Sequence, residues 1–512
     1  MRPLAILLVV AAGCGSETGS VQRNGPAVVD GGAHVDAGQG VDAGPVDAGQ
    51  FDTSPHLATD VAIGEVSLYQ SVKVSIASNG AAVARTKSPV VANRAALVRV
   101  GVTPSAGFVA RQLTCELVVD SQVFSTHLLV SRASDDSNPS SFFVFNVPAD
   151  AIAEQTSWSA RILDANALAV ADGQPSPARV PADGTLAPLG ARSDSGGIQI
   201  TLVPIQWNGD GSGRLPDTSP DQLARITNLL RALYPLVEVD LAVHAPLPYS
   251  GGLTFTGNID FGDVNSQLQA LRQTDGADAK AYYYGLVEPD DTFDDYCGGS
   301  CVTGQSYVVD DPSDDDLRVG AGQGWGGDDS AWTLAHEVGH ELGRYHAPCS
   351  AGSPDPDFPY AGGGTGVWGY DARSGQFISP DDESDFMGYC DPTWSSDYTY
   401  NAIFDRLLAV HGAAPRARGR QRDYRFLALL PDGSSRWRSP VRLSHEVGVH
   451  SAHVDARWLD DAGQVLRTDR VAVLPLGEGS EVELALPSAP MGAVELRAGE
   501  RKGERSFAVP RP

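Results

Sequence analysis

The eleven residues HEVGHELGRYH, from His336 to His346, constrain this chain more than any other stretch. His336 and His340 are four apart, so on a helix they share one face a turn apart and can hold a single ion. The run SAWTLAHEVGHELG reads as that helix, with Asp328, Asp329 and Ser330 offering capping oxygens at its start. Gly343 is expected to end it, because glycine takes the positive φ needed where a helix turns off sharply. The chain can then bring His346 round to the same ion. Three neutral imidazoles with a fourth position open describe a catalytic rather than a structural zinc site. Glu337 adjoins the first ligand and is placed to take a proton from water at that site. The bland alternative is a helix with surface histidines. A chance HExxHxxGxxH is rare, on the order of one in ten thousand for this composition. The chain also carries a control in HEVGVH, His445 to His450, whose histidines are five apart and so about 140° around a helix. Those two and His453 read as surface residues.

HExxHxxGxxH resembles the metzincin clan of zinc endopeptidases, which includes astacins, serralysins, reprolysins and pappalysins. The clan carries a methionine turn beneath the metal. DFMGYC supplies its counterpart in Met387, one of only three methionines in the chain. Tyr389 matches the tyrosine that in some members reaches the zinc and stabilises the oxyanion; its plainer reading is a packed aromatic. The region DFMGYCDPTWSSDYTYNAIFDRLLAVH is similar to bacterial secreted and lipoprotein metzincins, some of which cut mucin-like glycoproteins. The resemblance implies peptide hydrolysis with Glu337 as general base and one catalytic Zn2+ on His336, His340 and His346. It also implies that an extended substrate pairs with the strand near AKAYYYGLVE. It is specific over Ser330 to His411, looser from Gly196, and silent elsewhere. A cysteine switch and glycine-rich calcium repeats are both missing from the sequence.

At 512 residues the chain is too long for one ordinary domain. Residues 1–14, MRPLAILLVVAAGC, have the architecture of a lipoprotein-type signal peptide: Arg2, an apolar run from Leu4 to Ala12, then small residues before Cys14. AAGC resembles a lipobox, with Ala11 where leucine is customary; the resemblance implies lipidation of Cys14, with plain cleavage of the signal peptide as the alternative. Residues 15–56, rich in Gly, Ala and Asp with VDAG recurring, read as a disordered tether. Residues 57–190 show short alternating apolar runs and read as an all-β sandwich. Residues 191–415 alternate strand and helix patterns, giving an α/β (α+β) metzincin-like catalytic domain. Its first helix is announced by Ser219 as cap and Pro220 at the first position, and its last runs from about Tyr398 to His411. Residues 416–512 return to strands and read as a second β-sandwich. The fold class is thus multidomain, the catalytic domain flanked by two all-β domains.

Export to an oxidising compartment gives the cysteines meaning. Cys297 and Cys301 flank a loop flexible enough to close on itself. Cys349 and Cys390 are the natural pair if the regions after His346 and Met387 meet. Cys115 reads as a core thiol. A formal charge of −27 argues against nucleic acid or an anionic membrane surface as partner. The membrane is approached through the lipid alone, and a monomer at the bacterial cell surface or outer membrane, or secreted, is expected. Asp-rich loops (EPDDTFDD, DDPSDDD, SPDPDF) offer oxygens for Ca2+, but none has an EF-hand pattern, so solvated loops are favoured. Two function classes follow: a zinc endopeptidase acting on extracellular proteins or glycoproteins, or a surface adhesin around an inactive protease fold. Retention of Glu337 and all three histidines favours the enzyme. The first β domain reads equally as inhibitory or as substrate-positioning.

Overall fold

A computed structural model describes residues 56–510 apart from 168–173, 252, 254–258, 300, 414–420, 431, 444–445, 478–480 and 500–503. The expected signal peptide, Cys14 and nearly all of the tether lie outside the described residues, as does His445. The chain is mostly β, folded into several sheets with few helices. Among the described residues no helix is long and apolar enough to cross a membrane.

The sheet that carries the site begins with the strand Ile198–Trp207, which pairs in parallel with Val239–Val243 and, through Gln199↔Ala281 to Ile205↔Val287, with Ala281–Val287. Val319–Gln323 follows in parallel, and Gly304–Ser306 closes the order antiparallel to it. Helix α1 (Pro220–Leu233) starts as its sequence announces, with Ser219 Oγ accepting from the Gln222 N–H at 3.3 Å. The further helices are α2 (Phe261–Thr274), α3 (Phe293–Cys297), α4 (Gly327–Glu341) and α5 (Asp397–Gly412). Strand alternation decides the layering. Ile200, Leu202, Tyr282, Tyr284 and Leu286 pack with α1 and α4, whereas Val203, Ile205, Tyr283 and Val287 pack with α2.

The Ala281–Val287 strand is buried at all seven positions and lies between two paired neighbours. It therefore has no free edge, and the expectation that an extended substrate pairs with it is corrected. A continuous apolar run such as AYYYGLV marks a strand covered on both faces.

Residues 56–188 form two antiparallel sheets over one shared core, with Cys115 buried as a free thiol and Tyr400 of α5 inserted from below. The tail differs from the expected two-sheet sandwich. From Arg422 to Ala508 its strands join one eight-stranded sheet whose pairings are all antiparallel. The sheet closes over one of its own faces, because every residue of the apolar cluster buried there belongs to the tail. One face (Leu427, Trp458, Leu484, Leu496) carries its own apolar cluster. The other (Phe426, Leu443, Leu474, Leu476) shares a core with α2 and the central sheet.

Candidate metal centre

Helix α4 positions His336 and His340, but its start is built differently from the sequence expectation. Gly326, at φ 75°, is the cap residue and no side chain of the helix itself caps it. Gln222 of α1 does the work instead: its Oε1 accepts from the Gly327 N–H at 2.8 Å and its Nε2 donates to the Gly327 carbonyl at 3.1 Å. Ser330 Oγ donates to the Gln323 carbonyl at 3.0 Å, tying the helix to the neighbouring strand. Asp328 and Asp329 lie in the first turn, where the helix dipole favours them.

Gly343 ends the turn as anticipated. It takes φ 79°, its N–H donates to the His340 carbonyl at 2.7 Å, and Arg344 N–H donates to the Gly339 carbonyl at 3.0 Å. The chain then doubles back and Ala347 N–H meets the Met387 carbonyl at 2.9 Å, which brings His346 over the helix. Cys349 and Cys390 are disulfide-bonded, as are Cys297 and Cys301.

The three histidines converge. Their Nε2 atoms form a near-equilateral triangle with sides of 3.1, 3.1 and 3.2 Å. Nδ1 of His336 lies 2.9 Å from the Phe386 carbonyl and Nδ1 of His340 lies 2.6 Å from that of Arg344; His346 bonds the Gly352 backbone. A carbonyl can only accept, so Nδ1 of His336 and of His340 carries the proton and Nε2 of each presents a lone pair, while His346 turns its Nε2 to the same point. Three lone pairs facing one point repel unless a cation lies between them. The triangle also has the size that zinc requires, since nitrogens about 2.0–2.1 Å from a tetrahedral ion lie about 3.3–3.4 Å apart. Burial pushes His336 down to about 4 and His346 to about 3, and lowers His340 as well, so the ligand set is neutral at physiological pH. The residues present fit the metal.

Met387, Tyr389 and Glu337, the other residues singled out in the sequence, lie as follows. Met387 is fully buried beneath α4, and a Cβ at Gly339 would collide with its Sδ. The Tyr389 hydroxyl lies 2.8 Å from His346 Nε2, and its ring stacks on His336 at 27°. Its N–H donates to the Cys349 carbonyl at 2.9 Å, so the disulfide pins it over the triad. The Glu337 carboxylate is buried and accepts from Ser306 Oγ at 2.6 Å. Room for it exists because position 304 is glycine; a Cβ there would come within 2.8 Å of Glu337 Oε1.

Several residues here escaped the sequence reading. Ser306 holds the Glu337 carboxylate. Asp385, buried and with its carboxyl raised by that burial, accepts from Met387 N–H at 2.8 Å and Ser396 N–H at 2.9 Å, joining the methionine turn to the cap of α5. The D-x-M spacing, an Asx-type turn, was the available signal. Gly320 makes room for Glu341 just as Gly304 does for Glu337, and the alternating VGAG of that strand was its trace. Of the control histidines, His450 is more than half exposed, 3.5 Å from Asp311, and His453 faces the Ser451 carbonyl, remote from the triad. Among the described residues no other group of three His, Cys, Asp or Glu side chains converges as the triad does. The Asp-rich loops brace their own turns, Asp311 Oδ1 accepting from Ser313 N–H and Asp355 Oδ1 from Asp357 N–H, and give calcium no support.

No curated protein matches this chain. Residues 318–426 match the model of the peptidase M66 family, a family of zinc metalloproteases, and that stretch contains all three histidines, Glu337, Met387 and Tyr389. The similarity and the converging triad together support a zinc-dependent peptidase.

Proposed function

We propose that this protein is a zinc endopeptidase of the metzincin type, exported and held at the bacterial surface through a lipid on Cys14, that hydrolyses extracellular proteins or glycoproteins. The observation that carries the reading is the convergence of three Nε2 atoms within 3.2 Å of one another, on a helix in which the buried Glu337 follows the first of them, with Met387 packed against Gly339 and the Tyr389 hydroxyl 2.8 Å from His346 Nε2. Bound on His336, His340 and His346, zinc supplies Lewis-acid chemistry, making water more acidic and polarising the scissile carbonyl. Glu337 takes the proton from the attacking water and delivers it to the leaving amine. Ser306, donating to Glu337 Oε2, holds that carboxylate in one orientation. The Tyr389 phenol donates to the developing oxyanion from the open side of the triad. Tyr389 is 41% exposed, as a group that must meet substrate should be. The signal architecture of residues 1–14 supports export, and the paired cysteines suit an oxidising compartment.

The discriminating experiment is Glu337→Gln. A peptidase loses casein and mucin-type glycoprotein hydrolysis by several orders of magnitude while keeping its metal. A protein whose work is adhesion keeps its activity, and that outcome would move the function to the β regions.

A further inference from the structure

The tail reaches the metal centre. Pro475–Gly477 runs antiparallel beside Ser306–Val308, where the Gly304–Ser306 strand ends. Val308 N–H donates to the Pro475 carbonyl at 3.1 Å, Gly477 N–H donates to the Ser306 carbonyl at 2.8 Å, and Leu476 sits opposite Tyr307. The edge strand of the central sheet is thus continued by the tail. Gly477 is buried, and a Cβ built on it would lie 2.4 Å from His340 Cδ2 and 2.7 Å from Nε2, separations that real Cβ atoms essentially never show. Glycine here is a requirement of the site. All these residues except His340 lie outside the span similar to the peptidase family.

We propose that the Pro475–Gly477 segment is a positioning element of the metal centre, walling the His340 ring through Gly477 and fixing the Glu337 carboxylate through Ser306. The inference rests on the reading of the triad as a peptidase zinc site. The His340 ring is held on one side by its Nδ1 bond to Arg344, and Gly477 supplies the opposing wall. Ser306 joins the two functions in one residue, because its carbonyl takes the Gly477 N–H while its hydroxyl serves Glu337.

The contact is permanent in character. Beside it Gln305 Nε2 donates to Glu481 Oε2 at 3.0 Å and Tyr307 hydroxyl to Glu483 Oε2 at 2.7 Å. Arg438, almost wholly buried, pairs with Glu481 at 2.7 Å, Glu483 at 2.8 Å and Asp260 at the start of α2. Tyr307, Leu474 and Leu476 share one apolar core. A strap built to come away would not be sealed by a buried cation with three carboxylates and a common core, so a fixed wall is the better account than a removable lid.

The test uses the full chain. Gly477→Ala, Tyr307→Phe, Ser306→Ala and Leu466→Ala, the last an exposed control in the same Val465–Pro475 strand, are compared with the parent. Zinc affinity is measured by chelator competition, the ligand field by the visible spectrum after cobalt(II) substitution, and apoprotein melting in parallel. Gly477→Ala is expected to lose about 10-fold or more in zinc affinity with altered cobalt bands. Tyr307→Phe, which adds no atom, is expected to lose less in the same direction and carries the test if the alanine variant fails to fold. Ser306→Ala should keep zinc affinity while kcat falls about tenfold and KM stays within about twofold. Leu466→Ala should match the parent throughout. Parental affinity and spectrum in both Gly477→Ala and Tyr307→Phe would overturn the inference and leave the zinc reading intact. A parent chain that binds no zinc would remove both together.

Discussion

His336 and His340 each spend the Nδ1 proton on a backbone carbonyl, which leaves Nε2 for the metal and locks the ring plane. Tyr389 is 41% exposed and touches His346 through its hydroxyl. If it stabilises the oxyanion, Tyr389→Phe lowers kcat about 100-fold with little change in KM or zinc content, since one donor of a shared hole is removed. An equal rise in KM instead would mark a packing or binding role. The triad and Glu337 were legible because their spacings of a few residues fall on one helix and the turn after it, whereas Met387 and Tyr389 were singled out only by the resemblance to the metzincin clan. Ser306 and Gly339 were not legible, because each matters only through a partner that folding brings to it.

Among the elements, α4 shows how local rules can be overridden. Asp328, Asp329 and Ser330 satisfy the usual capping pattern, yet Gln222 of another helix takes the role, which no local pattern encodes. The Ala281–Val287 strand reads correctly as a strand from its composition, but its place in the middle of the sheet is a matter of topology. At its end, burial pushes the Glu288 carboxyl up to about 7. Below about pH 4.5 both folded and unfolded chains carry this proton, so the group contributes nothing. Between about 4.5 and 7 the unfolded chain ionises while the folded chain does not, so stability falls as pH rises and stays lower above 7. Glu288→Gln is therefore expected to raise the melting temperature at pH 8 and leave it unchanged at pH 4. The gain should be about 1 kcal/mol, because the side chain is only partly buried and solvent screens it. A gain confined to low pH would contradict this origin.

Over the whole molecule, the tail is joined to α2 and the central sheet through Arg438 and its three carboxylates. Arg438→Met would leave Glu481 and Glu483 crowded without a counter-charge, Asp260 keeping Arg436 at 2.6 Å, and cost about 3–5 kcal/mol of local stability. Faster amide exchange in the Val482–Pro487 strand would report it; unchanged exchange would show that the apolar core alone fastens the tail. The alternating strands of the tail were readable, but their closing into one sheet against the metal centre was not. The contact of Gly477 with His340 spans more than a hundred residues and leaves no periodic trace. The central claim is that His336, His340 and His346 hold one catalytic zinc. It is tested most directly by metal content per purified full chain, with chelator-treated and zinc-restored samples assayed for proteolysis in parallel. The account predicts one zinc per chain, hydrolysis abolished by the chelator and recovered on restoring zinc, and no zinc in a His340→Ala chain. A chain that is folded and free of zinc, or that hydrolyses equally well without it, would contradict the account.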